Sequence, residues 1–379
     1  MASIVSTGMS KFGSDGRELM DHLLEASASI VGRFRDLIDC VVLSTPYTLA
    51  FNNASAISSA FTSILGLADL PYLSVENTSA SGSSAILVAR SIIESGRADH
   101  VLVVGGEKMN SYPTRTVSRI IATLLAKEEA SAGLTLPSVA AFTAKEYINK
   151  YACPRESIAN VAVQNHHNGS LNPFAQFRKE ISIEKVMESR IIADPLRLFE
   201  FCPISDGAAA LLMVEDDLAE SLTENPVKVL SSQSSSDISY LSMRSSFIEI
   251  PSVRSAAVKA FREAALKPED IDVAELHDMA SILEIVELEE IGIFPRGHAW
   301  EMIDSGYTAI DGEFPVNTGG GLISRGHPLG ATGIAQAVEI SEQLSGKAQG
   351  RQVKNHNTGL SVNMAGYGNN ANVIIYGVS

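Results

Sequence analysis

The sequence predicts an α/β protein built from two similar halves, on two observations. Short apolar runs rich in β-branched residues, "CVVLST", "VLVVGG", "AALLMVED" and "NVIIYGV", alternate with segments whose apolar residues recur every three or four positions, such as "SAILVARSIIESG" and "SILEIVELEEIG". Strands alternating with helices imply helices packed on largely parallel sheets. The second observation is a repeat. An asparagine, a turn of small residues and a long helix occur in "ENTSASGSSAILVARSII" and again in "FPVNTGGGLISRGHPLGATGIAQAVEISEQL", each followed later by an apolar strand.

The join between the halves is expected near 218–228, where "LAESLTENPVK" is polar and holds a proline; this divides the chain into 1–220 and 221–379. Residues 110–200 break the alternation with many polar positions. They read as an excursion from the first half that covers its active-site mouth.

Composition excludes several classes. The chain has 379 residues, 45% of them hydrophobic, enough for two ordinary domains with filled cores. No apolar stretch reaches the roughly 20 residues that span a bilayer, and the first residues lack a basic segment followed by an apolar one. A cytoplasmic setting without membrane contact is expected. Cys40, Cys153 and Cys202 are too widely spaced for a disulfide framework or a metal cluster. The net charge of −15 argues against nucleic acid binding through a broad basic surface. A phosphate-bearing ligand would need a local basic patch. Lys108, Arg115 and Arg119 in "EKMNSYPTRTVSR" offer one; a solvated loop with scattered charge is the alternative.

Four stretches carry candidate chemistry. In "NTSASGSS" (77–84), small residues permit a tight strand-to-helix turn that presents Ser79 at a helix start. Unpaired N–H groups and the positive end of the helix dipole favour a nucleophile there. A serine gains less than a cysteine, because its hydroxyl needs a general base at the moment of attack. The competing reading of Ser79 is a helix N-cap. In "GGGLISRGHPLGATG" (319–333), a glycine-rich turn carries His327 to a helix start with Pro328 in the first turn. A histidine there suits a general base. In "AELHDMASILEIVELEEIG" (274–292), His277 ends a strand, Asp278 is placed to cap the next helix, and Ile282, Ile285, Val286 and Leu288 form that helix's apolar face. In "NMAGYGNNANVIIYG" (363–377), Gly366 and Gly368 offer backbone N–H groups to an oxyanion, or merely form a turn.

These stretches, in this order, resemble the thiolase family over essentially the whole chain. "VENTSASGSSA", "VLVVGGEKM", "NHHNGSLNPFAQF", "PLRLFEFCPISDGAAALL", "HDMAS", "GGGLISRGHPLGATG" and the terminal glycine motif all take part. The histidine-aspartate motif is similar to that of archaeal and sterol-carrier-protein-type thiolases. The resemblance implies the thiolase fold: two duplicated βαβαβαββ-type halves in a layered α-β-α-β-α core. It implies acyl-CoA C-acyltransferase chemistry of the acetyl-CoA acetyltransferase kind, with coenzyme A thioesters as substrates and no covalently bound cofactor. It also implies a homodimer or homotetramer, and a small zinc-ribbon/OB-fold partner as in archaeal relatives.

Carried over by position, Ser79 takes the nucleophile's place and His327 that of its activating base. His277 and His327 hold a water in one oxyanion hole, and the N–H groups of Ser79 and Gly366 form the other. Gly321 joins Lys108, Arg115 and Arg119 as an expected coenzyme A contact. The sequence departs from the family where it has Ser79 for the nucleophilic cysteine. Met279 and Met364 stand where a second cysteine is expected, and Cys202 reads as structural. Three readings therefore stay open: an acyltransferase with a replaced nucleophile, a thiolase-like retro-aldol lyase using a tyrosine such as Tyr367 as proton carrier, and a non-catalytic coenzyme A-binding subunit.

Overall fold

The computed structural model describes residues 1–378. Nine strands form one hydrogen-bonded sheet: β1 (Ala2–Met9), β2 (Cys40–Ser44), β3 (Tyr72–Ser74), β4 (His100–Glu107), β5 (Gly207–Glu215), β6 (Val227–Ser236), β7 (Val273–Glu275), β8 (Thr358–Ala365) and β9 (Asn370–Gly377). Their order is β3-β2-β4-β5-β1-β6-β9-β8-β7. The main helices are α1 (Leu19–Phe34), α2 (Ser81–Glu94), α3 (Leu136–Tyr151), α4 (Arg155–Leu171), α5 (Pro251–Ala264), α6 (Ser281–Glu290) and α7 (Thr332–Leu344).

The repeat seen in the sequence is the repeat of the fold. The first half runs β3-β2-β4-β5-β1 and the second runs β7-β8-β9-β6, the two joined by a short antiparallel contact in which Ala2, Ser3 and Ile4 face Val229, Lys228 and Val227. Where β3 pairs with β2, the second half has only a parallel bridge between Val316 and Ala274. Asn77 follows the first of these edge segments and Asn317 the second, so the two long helices start from equivalent places. Each half is less parallel than the alternation predicts. β2 pairs in parallel with β3 and β4, and β7 with β8, but β5 and β9 are inserted antiparallel. The cause is the last strand of each half, which returns without a crossover helix.

Helices α2 and α7 lie side by side in the middle layer, α1 covers the outer face of the first half and α5 that of the second. Glycines let the two central helices start almost in contact. A Cβ on Gly333 would stand 2.3 Å from the Ser83 nitrogen and 2.5 Å from Asn363 Oδ1, and one on Gly82 would stand 2.9 Å from the Gly330 carbonyl oxygen.

The excursion at 110–200 packs differently from the expectation. Helices α3 and α4 lie against α6 and the turn at 321–325, so they cover the second half. Val139, Tyr147, Ile158 and Val161 share one apolar cluster with Ile282, Ile285 and Leu288. That burial also changes α6, whose ten residues are all buried, Glu284, Glu287, Glu289 and Glu290 included. Each of these carboxylates has partners: Asn165 and Asn317 for Glu284, the His277 N–H for Glu287, Tyr147 for Glu289, and Arg254 and Arg296 for Glu290. A helix with a single apolar face in sequence is thus buried on every side, its apolar residues in the core cluster and its carboxylates each bonded through at least one oxygen.

Candidate active site

Strand β3 leads into a tight turn, Thr78–Ala80, that feeds α2. Thr78 adopts a left-handed backbone with φ of +45°, a costly conformation for a β-branched residue and one common at functional turns. Ser79 sits at this bend and is nearly buried. It is not the helix cap. Ser81 Oγ accepts the Asn77 N–H at 2.7 Å and donates to the Thr78 carbonyl, and Ser83 Oγ reaches the Ala80 carbonyl. Its neighbours thus stabilise the turn, and among the described residues neither the hydroxyl nor the N–H of Ser79 has a hydrogen-bond partner.

His327 comes from the second half. The Gly321–Arg325 turn has the wide π spacing and ends at Gly326, where φ is +112°. A single π-type turn of this kind commonly marks a functional site. The "NHHNGSLNPFAQF" stretch clamps this loop. Asn172 Nδ2 donates to the Gly319 carbonyl, the Gln176 N–H to the Arg325 carbonyl at 3.0 Å, and the Phe177 N–H to the Ser324 carbonyl at 3.0 Å. The His327 N–H donates to Ser205 Oγ, and the ring Nδ1 lies 2.7 Å from Thr332 Oγ1. Burial, reinforced by the Arg325 guanidinium, pushes His327 down to about 3. It is a neutral imidazole throughout the physiological range.

His277 follows β7 and is fully buried, with its ring 5.1 Å from that of His327 and nearly perpendicular to it. Its Nδ1 lies 2.9 Å from Asn363 Nδ2 on β8, and its Nε2 has no partner among the described residues. Burial, and secondarily His327, holds it well below the ordinary histidine range. Two neutral imidazoles, both from the second half, therefore face each other.

Asp278 does not cap α6, which starts after Ala280 without a side-chain cap. Its carboxylate instead accepts the Leu322 N–H at 2.6 Å and the Ile323 N–H at 3.3 Å, and Asn165 Nδ2 donates to it. It thereby ties the His277 segment to the turn that carries His327. Burial and the adjacent Glu284 raise its pKa.

The remaining candidates fall differently. Gly366 has φ of +61° and, among the described residues, a backbone N–H without a partner; the neighbouring Tyr367 N–H is taken by Asn369 Oδ1. The Thr78–Ala80 turn packs against β8, the strand that leads to Gly366. The Tyr367 hydroxyl is fully buried and bonded at 2.6 Å to Thr143 Oγ1 on α3, and burial raises its pKa. That bond engages the hydroxyl that the lyase reading casts as a proton carrier. Two of the expected coenzyme A contacts lie in buried surroundings. Gly321 is buried because its α-carbon faces Asp278, where a Cβ would stand 2.3 Å from Oδ2. Lys108 is nearly buried, with its charge committed to Glu18 at 2.7 Å. Arg115 and Arg119 are exposed one turn apart on the helix Thr114–Ile121. The Cys202 N–H donates to the Met279 carbonyl, and its thiol is pushed up to about 12 by burial and then by Asp278. The clamp from Asn172, Gln176 and Phe177 had a sequence signal, the dense run of amide side chains at 165–176, but its target could not be read from it.

Among the described residues no group of three or more His, Cys, Asp or Glu side chains is arranged to hold a metal ion, and no helix is long and apolar enough to cross a membrane.

Comparison with known proteins agrees with this fold. The thiolase N-terminal domain family matches residues 2–217, and the thiolase C-terminal domain-like family matches residues 233–378. An acetyl-CoA acetyltransferase of Methanothermobacter thermautotrophicus is 42% identical over 84% of this chain and 83% of its own length. One from Methanocaldococcus jannaschii is 35% identical over 97% of this chain and 96% of its own. Rabbit sterol carrier protein 2 is 35% identical over 82% of this chain but only 59% of its own length. Among solved structures, an Ltp2–ChsH2(DUF35) aldolase superposes with a TM-score of 0.84 at 24% identity, covering 100% of this chain and 97% of the other. Human mitochondrial 3-ketoacyl-CoA thiolase gives 0.72 at 15% identity, covering 100% and 98%. With both domain families matched in order along almost the whole chain, this protein belongs to the thiolase family.

Proposed function

We propose that this protein is an acyl-CoA C-acyltransferase of the acetyl-CoA acetyltransferase kind in which Ser79 carries the acyl group. The observation that supports this most is the unengaged Ser79 hydroxyl on a strained turn that packs against α7, the helix that follows His327, and against β8, which carries Asn363 beside His277. His327 accepts the hydroxyl proton as Oγ adds to the thioester carbonyl. The N–H groups of Ser79 and Gly366 stabilise the oxyanion; losing one such donor typically costs about 3 kcal/mol. The carbon–sulfur bond breaks, and His327 returns its proton to the departing coenzyme A thiolate, leaving an oxygen ester. His327, neutral again, removes an α-proton from a second acyl-CoA, whose enolate oxygen is held by His277. The carbanion attacks the ester, and Ser79 leaves as an alkoxide that takes the proton back from His327.

One base thus serves each proton transfer. That matters here because Met279 and Met364 offer no second thiol and Cys202 is held as a neutral thiol. Arg115 and Arg119 are the basic residues left to meet coenzyme A phosphates. A second copy of the chain is expected along the β3 edge, where Tyr72 and Leu73 are exposed, with Leu87, Val88 and Ile92 half-exposed on α2. An unpaired edge strand is a liability that such pairing removes.

A retro-aldol lyase that binds acyl-CoA without acylation is the second reading. The absence of a second thiol favours it; the Tyr367 hydroxyl, bonded to Thr143, does not. Exchange of isotopically labelled coenzyme A into acetyl-CoA separates the two. The acyltransferase reading expects exchange that disappears in Ser79→Ala and His327→Ala. Exchange that survives either substitution, or is absent from the unaltered protein, sinks it.

A further inference from the structure

Two residues outside the reacting set hold the imidazoles in opposite proton states. We propose that Thr332 and Asn363 are positioning residues: Thr332 keeps the proton of His327 on Nδ1, leaving Nε2 a lone pair, and Asn363 keeps that of His277 on Nε2, leaving it a donor. The functional value of this division rests on the acyl-transfer reading; the division itself rests on hydrogen bonds.

Thr332 lies in the first turn of α7, fully buried, with Oγ1 3.0 Å from the Pro328 carbonyl oxygen and 2.7 Å from His327 Nδ1. A hydroxyl has one proton. If it goes to the Pro328 carbonyl, the ordinary bond of a helical threonine, Oγ1 can accept only, and Nδ1 must donate. Two bonds then form. If it goes to Nδ1, only one forms, and the Pro328 carbonyl already receives the Ala331 and Thr332 N–H groups at 2.9 and 3.0 Å. The arrangement with one more bond is favoured, and it strips the proton from His327 Nε2.

His277 has the reverse arrangement. The Asn363 amide nitrogen faces His277 Nδ1 at 2.9 Å, and its oxygen lies 2.8 Å from Ser83 Oγ, whose one proton is shared between that oxygen and the Ala80 carbonyl at 3.0 Å. Both groups are fully buried, and Nδ1 must accept. Nε2 then carries the ring proton, with no partner among the described residues. A general base and an oxyanion donor thus arise from two side chains of one type, 5.1 Å apart, because a hydroxyl stands behind one and an amide behind the other. The same principle of a neighbour fixing the tautomer operates in histidine sites generally.

The test is a long-range proton–nitrogen NMR correlation on protein with 15N-labelled histidines at pH 7.5, with the two rings assigned from His327→Gln and His277→Gln. The expected spectrum has His327 protonated at Nδ1 and His277 at Nε2. Thr332→Val, nearly isosteric but without an acceptor, moves the His327 proton toward Nε2 and slows acyl transfer by about tenfold or more. Thr332→Ser preserves both. Asn363→Asp presents only acceptors and transfers the His277 proton to Nδ1. A His327 ring protonated at Nε2, or a His277 ring protonated at Nδ1, in the unaltered protein overturns the proposal even if every variant fails to fold. The spectrum needs no turnover. The expected tautomers without an acyl-enzyme would refute the function and leave this inference standing, whereas an acyl-enzyme with reversed tautomers would do the opposite.

Discussion

His327 makes a prediction that needs no substrate. Folding holds its imidazole neutral down to about 3, against an ordinary value of 6.5. Between those values the unfolded chain binds a proton that the folded chain refuses. The resulting stability is fully present above pH 6.5 and is lost as the pH falls from 6.5 toward 3. Worked through the linkage relation, this one group costs about 2 kcal/mol of stability between pH 7 and pH 5. His327→Gln removes the titration while keeping a planar polar side chain. Urea unfolding of both proteins at the same concentration, followed at pH 7 and pH 5 by the fluorescence of Trp300, gives the difference of differences. The variant is expected to lose about 2 kcal/mol less than the unaltered protein over that interval. Equal losses would mean that His327 is not held neutral by burial and Arg325, and the electrostatic account of the site would fail with it.

Three other substitutions probe the frame. Gly333→Ala drives a Cβ to within 2.3 Å of the Ser83 nitrogen, and overpacking of this kind costs about 1–3 kcal/mol; urea unfolding should register it, together with loss of coenzyme A exchange. Arg325→Met leaves the fully buried Glu275 without its 2.7 Å partner, for an expected cost of about 3–5 kcal/mol. It also removes a cation that depresses His327, so the histidine should titrate at higher pH by NMR. Leu73→Lys places a charge on the exposed β3 edge and should reduce the mass measured by light scattering to that of a single chain, with little change in the circular dichroism of that chain.

Much of this architecture is visible in the sequence, because two signals reinforce each other there. Period-two and period-four patterning marks strands and helices, and the repeated asparagine-turn-helix unit fixes their relation. The glycines of "GATG" and "SASG" point to close approach, and close approach is what Gly333 and Gly82 permit. What is not visible is set by long-range partners. Asp278 looks like a cap because it precedes a helix, yet its acceptors find better-placed N–H groups at Leu322 and Ile323. Lys108 looks like a ligand-binding cation because charge alone is visible, whereas Glu18 is 90 positions away. Tyr367 looks catalytic beside a glycine turn, and only the packing of α3 reveals Thr143 behind its hydroxyl. The antiparallel insertion of β5 and β9 leaves no trace in hydrophobic pattern, since a strand buried on both faces reads alike in either direction.

The central claim is that Ser79 takes up an acyl group. Intact-mass spectrometry after incubation with acetyl-CoA tests it most directly, with Ser79→Ala and Ser79→Cys run beside the unaltered protein. The account predicts an acetyl adduct that maps to Ser79 and is absent from the alanine variant. An adduct on the cysteine variant alone would contradict it: the pocket would be sound, but its serine would not be a nucleophile.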